Sequence, residues 1–429
     1  MIRRYTNPAK SKWLKLTTRH SSGQSALGNT VEKIMARVKK DGDKALLKLT
    51  KKFDGVSLHS LKVSRAEIES AGSQLPEDLR SSILTARKNI EIFHRSQKIS
   101  ESKIETMPGV LCWNKAAPIE KVGLYIPGGT APLFSTVLML GVPAQIAGCS
   151  TVVLCTPPQP DGSVHPAILF TAGLVGISDI YKLGGAQAIA AMTYGTQTVP
   201  KVYKLFGPGN QFVTCAKLKA QTEGVSIDMP AGPSEVLVIA DETANPAYVA
   251  ADLLSQAEHG EDSQVLLVST DGEIVERVVR ELVIQVGQLP RKKIVLKVLK
   301  HCKAIYFGDK DEAMEFVNEY APEHLIIQMK EPEMIAAKVR NAGSVFLGPY
   351  SPESVGDYAS GTNHTLPTNG FARVYGGVSL DSFVKRISFQ QIERDGLKLI
   401  GPVVEKMALA EGLVGHQRAV RIRLDDLEL

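Results

Sequence analysis

Polar side chains able to bind a metal or to transfer a proton lie beside several of the nine histidines. Four segments combine such groups: Gln256–His259, Glu323–His324, Ser354–Asp357 followed by His364, and Glu411 followed by His416. Gln256 and His259 stand three residues apart at the end of a predicted helix and therefore share one face. Two histidines, one aspartate and one glutamine would form a set of two nitrogen and two oxygen ligands, which suits zinc, cobalt or manganese.

The spacing of these residues does not by itself specify a metal site. It matches neither the HExxH pattern nor the paired-cysteine pattern of zinc proteins. For each histidine the alternative is a helix-end or surface residue that makes one hydrogen bond. We keep that interpretation for the other five, which are His20, His59, His94, His165 and His301.

Glu323 and His324 form a candidate acid/base pair. Adjacent residues on a regular strand point to opposite faces of a sheet, so two neighbours that serve one site require a bend where the strand begins. Pro322 favours such a bend, because proline restricts the backbone of the residue before it. A histidine that titrates near neutrality and a carboxylate that activates water could then act together. The alternative is a charged pair at the edge of a sheet.

Three glycine-rich turns follow predicted strands. Gly207–Asn210 comes after the strand KVYKLF and opens a helix, where backbone amides can bind a phosphate. Phe212 stands where the dinucleotide-binding pattern GxGxxG has its third glycine, so this match is incomplete. The turns at Gly184–Gly185 and Gly128–Gly129 hold similar positions. Each alone is typical of a tight turn, but three at the carboxyl ends of strands in one sheet predict a ligand site.

Short apolar runs alternate with helical segments from about residue 121, which is typical of a parallel, doubly wound sheet. Because the alternation restarts at SEVLVIAD, we predict an α/β protein with two Rossmann-like lobes, N-terminal helices and an extended helical C-terminal tail. The predicted segments are an N-terminal arm (1–25), a helical part packing with the second lobe (26–118), the first lobe (119–235), the second lobe (236–372) and a tail for subunit contact (373–429), helical from about 380 to 420.

The composition excludes several classes of protein. The hydrophobic fraction of 44% and the charged fraction of 22% are ordinary for a globular chain. A net charge of +5 is too small to indicate a nucleic-acid partner, and no apolar run is long enough to span a bilayer. Five cysteines without a CxxC pair favour a reducing compartment, so we expect a cytoplasmic protein. The basic N-terminus lacks an apolar core, which favours an arm over a targeting segment.

The chain resembles the histidinol dehydrogenase family in segments that run in order from about residue 121 to residue 420. The matching segments are VGLYIPGGTAPLFSTVLML, LGGAQAIAAMTYG, FGPGNQFV, IDMPAGPSEVLVIAD, ADLLSQAEHG, APEHL, SPESVGDYASGTNHTLPT and EGLVGHQRAV. Their length makes chance similarity negligible. The residues before about 110 carry no motif of this kind.

The resemblance implies a homodimeric enzyme that oxidises L-histidinol through L-histidinal to L-histidine, the last step of histidine biosynthesis. It implies two NAD⁺ and one zinc ion per active site, with Glu323 and His324 as the acid/base pair. The implied zinc ligands are Gln256, His259, Asp357 and His416, the last reaching the site from the tail of the partner subunit. These ligands and His324 would also contact the substrate.

The resemblance also implies further binding residues. Ser234, Glu411 and His364 would contact the substrate, and Tyr125, Gln187 and Asn210 would contact NAD⁺. The incomplete glycine pattern is then normal for the family.

Three other functions compete with this interpretation. An aldehyde dehydrogenase would use a cysteine nucleophile, for which Cys112, Cys149 and Cys155 are the candidates. A metal-dependent hydrolase could use zinc with Glu323 equally well. A two-lobed binding protein would need no acid/base pair. A requirement for NAD⁺ separates the dehydrogenase from the hydrolase, whereas a fold independent of zinc and without turnover would support the binding protein.

Overall fold

Residues 2–19, 25–128, 131–230 and 232–428 are described by the structure, a computed structural model of the chain. Among them, no helix is both long and apolar enough to cross a membrane. The strands are β1 (Arg3–Thr6), β2 (Ile104–Met107), β3 (Val110–Pro118), β4 (Lys121–Tyr125), β5 (Thr151–Thr156), β6 (Asp179–Lys182), β7 (Lys204–Phe206), β8 (Ser226–Ile227), β9 (Glu235–Ala240), β10 (Gln264–Ser269), β11 (Lys303–Tyr306), β12 (His324–Gln328), β13 (Ser344–Leu347) and β14 (Val384–Ile392).

The helices lie between these strands and at the two ends of the chain. They are α1 (Trp13–Thr17), α2 (Ser25–Asp41), α3 (Asp43–Phe53), α4 (Arg65–Ser70), α5 (Glu77–Arg95), α6 (Phe134–Ala147), α7 (Pro166–Leu174), α8 (Gly185–Tyr194), α9 (Gln211–Thr222), α10 (Pro246–Ala257), α11 (Gly272–Val286), α12 (Lys292–Leu299), α13 (Lys310–Tyr320), α14 (Pro332–Ala336), α15 (Glu353–Tyr358), α16 (Arg394–Ala410) and α17 (Val414–Glu428). The chain divides into two units, Met1–Gln97 with Ile119–Phe383, and Lys98–Pro118 with Val384–Leu429.

In the first unit, a parallel sheet with the strand order β6-β5-β4-β7-β8 forms the centre of the first lobe. Helices cover both faces, so successive residues of a central strand are buried in apolar cores on opposite sides of the sheet. On β5, Val153 and Cys155 belong to the core that includes α8 and α9. Leu154, between them, belongs to the core that includes α6 and α7.

A second parallel sheet of the first unit, with the order β1-β11-β10-β9-β12-β13, forms the centre of the second lobe. Its faces alternate in the same way. Val236 and Val238 of β9 pack with α10 and α11, whereas Leu237 and Ile239 pack with α1 and α13. The predicted fold class, with two doubly wound lobes, is therefore confirmed.

The N-terminal helices pack on the first lobe, not on the second lobe as predicted. Helix α2 lies against α8 and α9, and α5 lies against α6. Val31 and Met35 of α2 are buried in the core that contains α8. The segment before them joins the second lobe instead, because β1 pairs with β11 and Trp13 contacts Phe307 and Phe316 edge to face. Helical periodicity predicts that one face of a helix is buried, but not against which lobe.

The second unit combines an antiparallel sheet, β14-β3-β2, with the helix pair α16 and α17. Here the predicted helical part and helical tail are corrected, because β2, β3 and β14 are strands. Trp113 of β3 and Phe389 of β14 are cross-strand partners and stack with ring centroids 5.4 Å apart. Such pairing between distant segments leaves little local signal in the sequence. The other predicted bounds of the segments stay predictions.

Candidate active site

A cavity of about 970 Å³ in the first unit collects most of the predicted site residues. In the first lobe its wall lies at the carboxyl ends of β4 and β7, where open parallel sheets bind ligands. In the second lobe it lies at the amino ends of β9 and β12 and at the end of α10. The predicted residues that line it are Tyr125, Asn210, Ser234, Gln256, His259, Glu323, His324, Asp357 and His364.

Glu323 and His324 lie side by side where β12 begins, and both are buried. The backbone bends just before them, since Ala321 has a φ of +51°, in the left-handed region, and Pro322 follows. The bend that the sequence analysis required is therefore present. It leaves Glu323 Oε2 3.8 Å from His324 Nδ1, so the two neighbours share one site.

The backbone of Glu235, the first residue of β9, fixes both side chains of this pair. Its N–H donates to Glu323 Oε2 at 2.7 Å, and its carbonyl oxygen lies 3.0 Å from His324 Nδ1. Because a carbonyl only accepts, Nδ1 carries the proton, and Nε2 of the neutral ring is left to accept one. Nε2 lies 3.5 Å from Asp357 Oδ1 and has no hydrogen-bond partner among the described residues.

Buried carboxylates outnumber buried cations in this cluster. Burial raises the pKa of Glu323 well above its usual range, against the attraction of His324. Burial also opposes a charge on His324, but the carboxylates of Glu353, Glu323 and Asp357 outweigh it and raise the pKa of the imidazole. Burial raises the pKa of Glu353 to about 8. Since uncompensated buried charge is costly, the cluster favours a bound cation.

One group among the described residues could hold a metal ion, because the ligand atoms of His259, Glu353 and Asp357 lie within 4.8 Å of one another. Gln256 is buried on the last turn of α10, and neither atom of its amide has a partner in the part of the chain that the structure describes. A buried amide that is unsatisfied at both atoms calls for a ligand, an ion or water. The histidine, carboxylate and amide donors therefore fit a zinc ion.

Glu353 is a candidate that the sequence analysis missed. It is 1% exposed, and its Oε1 lies 3.5 Å from His324 Nδ1. Two signals could have identified it. A glutamate directly after Pro352 is typical of the start of a helix, and its spacing of four residues from Asp357 places both carboxylates on one face of α15.

The Gly207–Asn210 turn is held by close backbone packing and by a buried ion pair. Gly207 has a φ of +122°, and a Cβ there would lie 2.1 Å from the Tyr125 carbonyl oxygen. Lys217 Nζ donates to the carbonyl oxygen of Gly207 at 2.9 Å. Asp228 accepts a hydrogen bond from the backbone N–H of Gly207 at 2.8 Å. Asn210 caps α9 by accepting from the N–H of Phe212. The turn is thus fixed where the first amides of a helix can meet an anion.

Gln187 does not line the cavity with Tyr125 and Asn210. It is buried on α8, with its Nε2 3.5 Å from Asp54 Oδ2. The hydroxyl of Tyr125 accepts from the N–H of Gly185 at 3.0 Å, two residues before Gln187 on the same helix. The contact between Gln187 and NAD⁺ stays a prediction.

The substitution Asp54→Asn is expected to stabilise the protein at alkaline pH. Burial raises the pKa of Asp54 from 3.8 to about 6, so protonation favours the folded state, and this stabilisation is lost as the pH rises through about 6. Asparagine keeps an oxygen for Gln187 without the charge. After allowance for solvent screening, we expect a gain of ~1 kcal/mol in the free energy of unfolding near pH 8, and no gain near pH 4.

Urea denaturation at the two pH values measures this difference. The exposed Asp41→Asn is the matched control and should change little at either pH. An Asp54→Asn variant no more stable than the wild type near pH 8 would contradict the assignment of the shift to burial.

The remaining predicted substrate residues differ in what they contact. Both ring nitrogens of His364 have protein partners, Nδ1 the carbonyl of Asp357 at 2.8 Å and Nε2 the hydroxyl of Thr136 at 3.1 Å. His364 therefore supports Asp357 more directly than it offers a free nitrogen to a ligand. Glu411 and His416 belong to the second unit, where both are exposed, and their roles stay predictions.

The histidines given a structural interpretation mostly keep it. His94 is fully buried with Nδ1 2.9 Å from the Ile90 carbonyl oxygen, and His165 caps α7 by accepting from a backbone N–H. His301 differs because it lines the cavity. His20 lies outside the described residues.

Known proteins match the whole chain. The family model for histidinol dehydrogenase matches residues 17–424. The histidinol dehydrogenase of Bacteroides thetaiotaomicron is 55% identical over 428 residues and covers 100% of both chains, and that of Bacteroides fragilis is 56% identical over 420 residues, or 98% of each. The crystal structure of histidinol dehydrogenase from Elizabethkingia anophelis, 54% identical, has a TM-score of 0.98 and covers 100% of this chain and 99% of that one. The chain therefore belongs to the histidinol dehydrogenase family of oxidoreductases.

Proposed function

We propose that the protein is a cytoplasmic, NAD-dependent, zinc-containing enzyme that oxidises L-histidinol through L-histidinal to L-histidine, the last step of histidine biosynthesis. The observation that carries the proposal is one cavity in which the buried pair Glu323–His324 faces Gln256, His259 and Asp357. An acid/base pair beside a metal-binding group suits a two-step oxidation that includes the addition of water.

Zinc would be bound by Gln256, His259 and Asp357 of one subunit and by His416 of the partner subunit. When bound, the ion would orient the substrate through its amine and imidazole and retain the aldehyde between the two oxidations. The buried carboxylate of Glu353 adds negative charge beside this cation, and its Oε2 has no hydrogen-bond partner among the described residues.

Tyr125 and Asn210 lie on the first-lobe side of the cavity and would contact NAD⁺ there. Gln187, buried on α8 next to the Gly185 amide that binds the Tyr125 hydroxyl, would be the third NAD⁺ contact. When bound, NAD⁺ supplies the hydride acceptor. The rigid Gly207–Asn210 turn supports this placement, because the first amides of α9 suit the negative charge of a pyrophosphate.

In the first oxidation, His324 accepts the proton of the substrate hydroxyl. A cation bound beside Asp357 would offset the carboxylates that raise the pKa of the imidazole, so the ring would be neutral before this step. The Glu235 carbonyl holds Nδ1–H, which leaves Nε2 as the basic nitrogen on the side of Asp357. The carbinol carbon gives up a hydride as the hydroxyl loses its proton, which leaves the aldehyde; bound NAD⁺ would accept the hydride.

In the second oxidation, Glu323 activates the water that adds to the aldehyde. Its raised pKa makes the carboxylate a stronger base than an exposed glutamate, while the Glu235 N–H keeps it in place. As water adds, His324 returns its first proton to the aldehyde oxygen. The neutral ring then accepts a hydroxyl proton of the hydrate as a second hydride leaves. The product is L-histidine, with two NADH formed for each L-histidinol.

We propose further that two copies of the chain complete each other's active sites through Glu411 and His416. Helices α16 and α17 leave apolar side chains exposed in the single chain, including Met407, Leu409 and Ile422. Exposed apolar surface of this kind supports the assembly, because a partner subunit could cover it. The variants Glu323→Gln and His416→Ala should each oxidise L-histidinal very slowly. Mixing and refolding the two should restore about a quarter of the wild-type oxidation of L-histidinal, since half of the dimers gain one intact site. No recovery would contradict shared sites.

A cysteine nucleophile receives no support from the candidate thiols. Burial raises the pKa of Cys149 to about 11 and also raises that of Cys155, whereas an activated thiol has a lowered pKa. Cys149→Ala and Cys112→Ala should leave both oxidations unchanged.

Formation of NADH by the purified protein tests the proposal. L-histidinol and L-histidinal should each reduce NAD⁺, whereas L-phenylalaninol, which lacks the imidazole, should react poorly. No NADH from either substrate would contradict the proposal. Release of an acid from an ester or amide without NAD⁺ would instead support the hydrolase.

A further inference from the structure

The carboxylate of Glu235 is the starting point, because the backbone of the same residue holds both members of the acid/base pair. Glu235 is 0% exposed. A carboxylate buried to this degree is tolerated only when it is paired and hydrogen-bonded. The position of Glu323 and His324 therefore depends on what pairs with Glu235.

Arg19, from the N-terminal segment, supplies that pairing. Its Nε donates to Oε1 of Glu235 at 3.1 Å and its Nη2 donates to Oε2 at 2.7 Å. This is the bidentate geometry that arginine forms with a carboxylate. The backbone N–H of Asn369 also donates to Oε1. The carboxylate is thus held from two segments distant in sequence.

The same guanidinium also holds the bend that precedes Glu323. Nη2 donates to the carbonyl of Tyr320 at 2.6 Å and to that of Ala321 at 3.3 Å, and the group lies 3.8 Å from the centre of the Tyr320 ring. Ala321 is in the left-handed region, which residues other than glycine rarely adopt. Contacts from outside are needed to keep a residue in such a conformation.

We infer that Arg19 is a positioning residue for the acid/base pair: it holds the Glu235 carboxylate on one side and the Tyr320–Ala321 carbonyls on the other. Glu235 then presents its N–H to Glu323 and its carbonyl to His324. The N-terminal segment, with β1 and α1 docked on the second lobe, is thereby part of the active-site scaffold. The inference rests on the roles proposed above for Glu323 and His324.

Removing the guanidinium tests this role by kinetics. Arg19→Ala should lower kcat by about 100-fold for both L-histidinol and L-histidinal, since a displacement of reacting groups by about 1 Å has an effect of this size. KM for L-histidinol and the zinc content should stay within about 3-fold of wild type, because Arg19 lines the cavity with its guanidinium bound to Glu235 and the Tyr320 carbonyl and is not one of the proposed substrate or zinc ligands. Millimolar guanidinium should restore part of kcat, whereas the same concentration of sodium chloride should not. Arg19→Lys cannot form the bidentate contact with Glu235, so its kcat should lie between those of the wild type and Arg19→Ala.

The control is Val278→Ala, which destabilises the second lobe by removing buried methyl groups of α11 without touching Glu235 or the N-terminal segment. At a temperature where circular dichroism reports it folded, this variant should keep the wild-type kcat. A wild-type kcat in Arg19→Ala, or a loss that only follows the folded fraction, would overturn the inference.

A measurement that needs no turnover separates this inference from the proposed function. With ¹⁵N-labelled histidine, the Nδ1–H of His324 should give a slowly exchanging proton signal, assigned by its absence in His324→Gln. Arg19→Ala and Arg19→Lys should speed its exchange with water, and an unchanged signal would overturn the inference. A wild-type protein that forms no NADH from L-histidinol would instead refute the proposed function, while the exchange result still decides the role of Arg19.

Discussion

Replacing Glu323 by Gln is expected to slow the oxidation of L-histidinal by roughly 100- to 10,000-fold, and to leave the oxidation of L-histidinol within about 10-fold of wild type. The amide keeps an oxygen for the N–H of Glu235, so the local geometry is retained, but it cannot take a proton from water. Single-turnover oxidation of L-histidinol, with the aldehyde trapped chemically, measures the first step. Steady-state oxidation of added L-histidinal measures the second.

The matched variants make this prediction specific. His324→Gln should slow both oxidations by a similar roughly 100- to 10,000-fold, because the ring nitrogen accepts a proton in each. Glu319→Gln, which changes an exposed carboxylate paired with Arg373, should affect neither step. An equal loss of both steps in Glu323→Gln would contradict the proposed division of labour between the two residues.

Replacing Asp357 by Ala is expected to abolish zinc binding and both oxidations. The change removes one donor of the candidate metal group and the carboxylate 3.5 Å from His324 Nε2, so binding and proton transfer are both affected. We expect zinc affinity to fall by at least about 100-fold, more than for a residue that only supports a ligand. Zinc content after gel filtration, by atomic absorption, and activity at increasing free zinc measure the two effects.

Glu261→Gln is the matched control for this variant. Its carboxylate also lines the cavity but pairs with Lys297 on the surface, so zinc content and activity should stay at the wild-type level. An Asp357→Ala protein that keeps one zinc per subunit would refute the proposed ligand set.

The fold class could be predicted because each lobe repeats one local pattern. The apolar runs Val152–Cys155 in β5 and Val236–Ala240 in β9 indicate strands that are covered on both faces, and the helical segments between the strands favour parallel pairing. Contacts between distant segments could not be predicted. The apolar face of α2 fits either lobe, and β14 is a strand because it pairs with β3.

The candidate site shows the same division. The spacing of Gln256 and His259 places both on one helix face, and Pro322 indicates the bend that brings Glu323 and His324 together. Their roles as zinc ligands and acid/base pair were implied by the family resemblance and not by the spacing. Glu353 was not predicted, although its spacing of four residues from Asp357 places both carboxylates on one face of α15.

The contacts that run from Arg19 through Glu235 to the acid/base pair could not be predicted from any local sequence pattern. They join residues more than 200 positions apart, and the type of neither residue indicates the other.

The number of NADH formed for each L-histidinol consumed, before and after removal of bound metal, tests the central claim most directly. We expect two NADH per L-histidinol, loss of this activity after chelation, and recovery on addition of zinc. One NADH per L-histidinol, or two in a protein freed of metal, would contradict a zinc-containing enzyme that carries out both oxidations in one cavity.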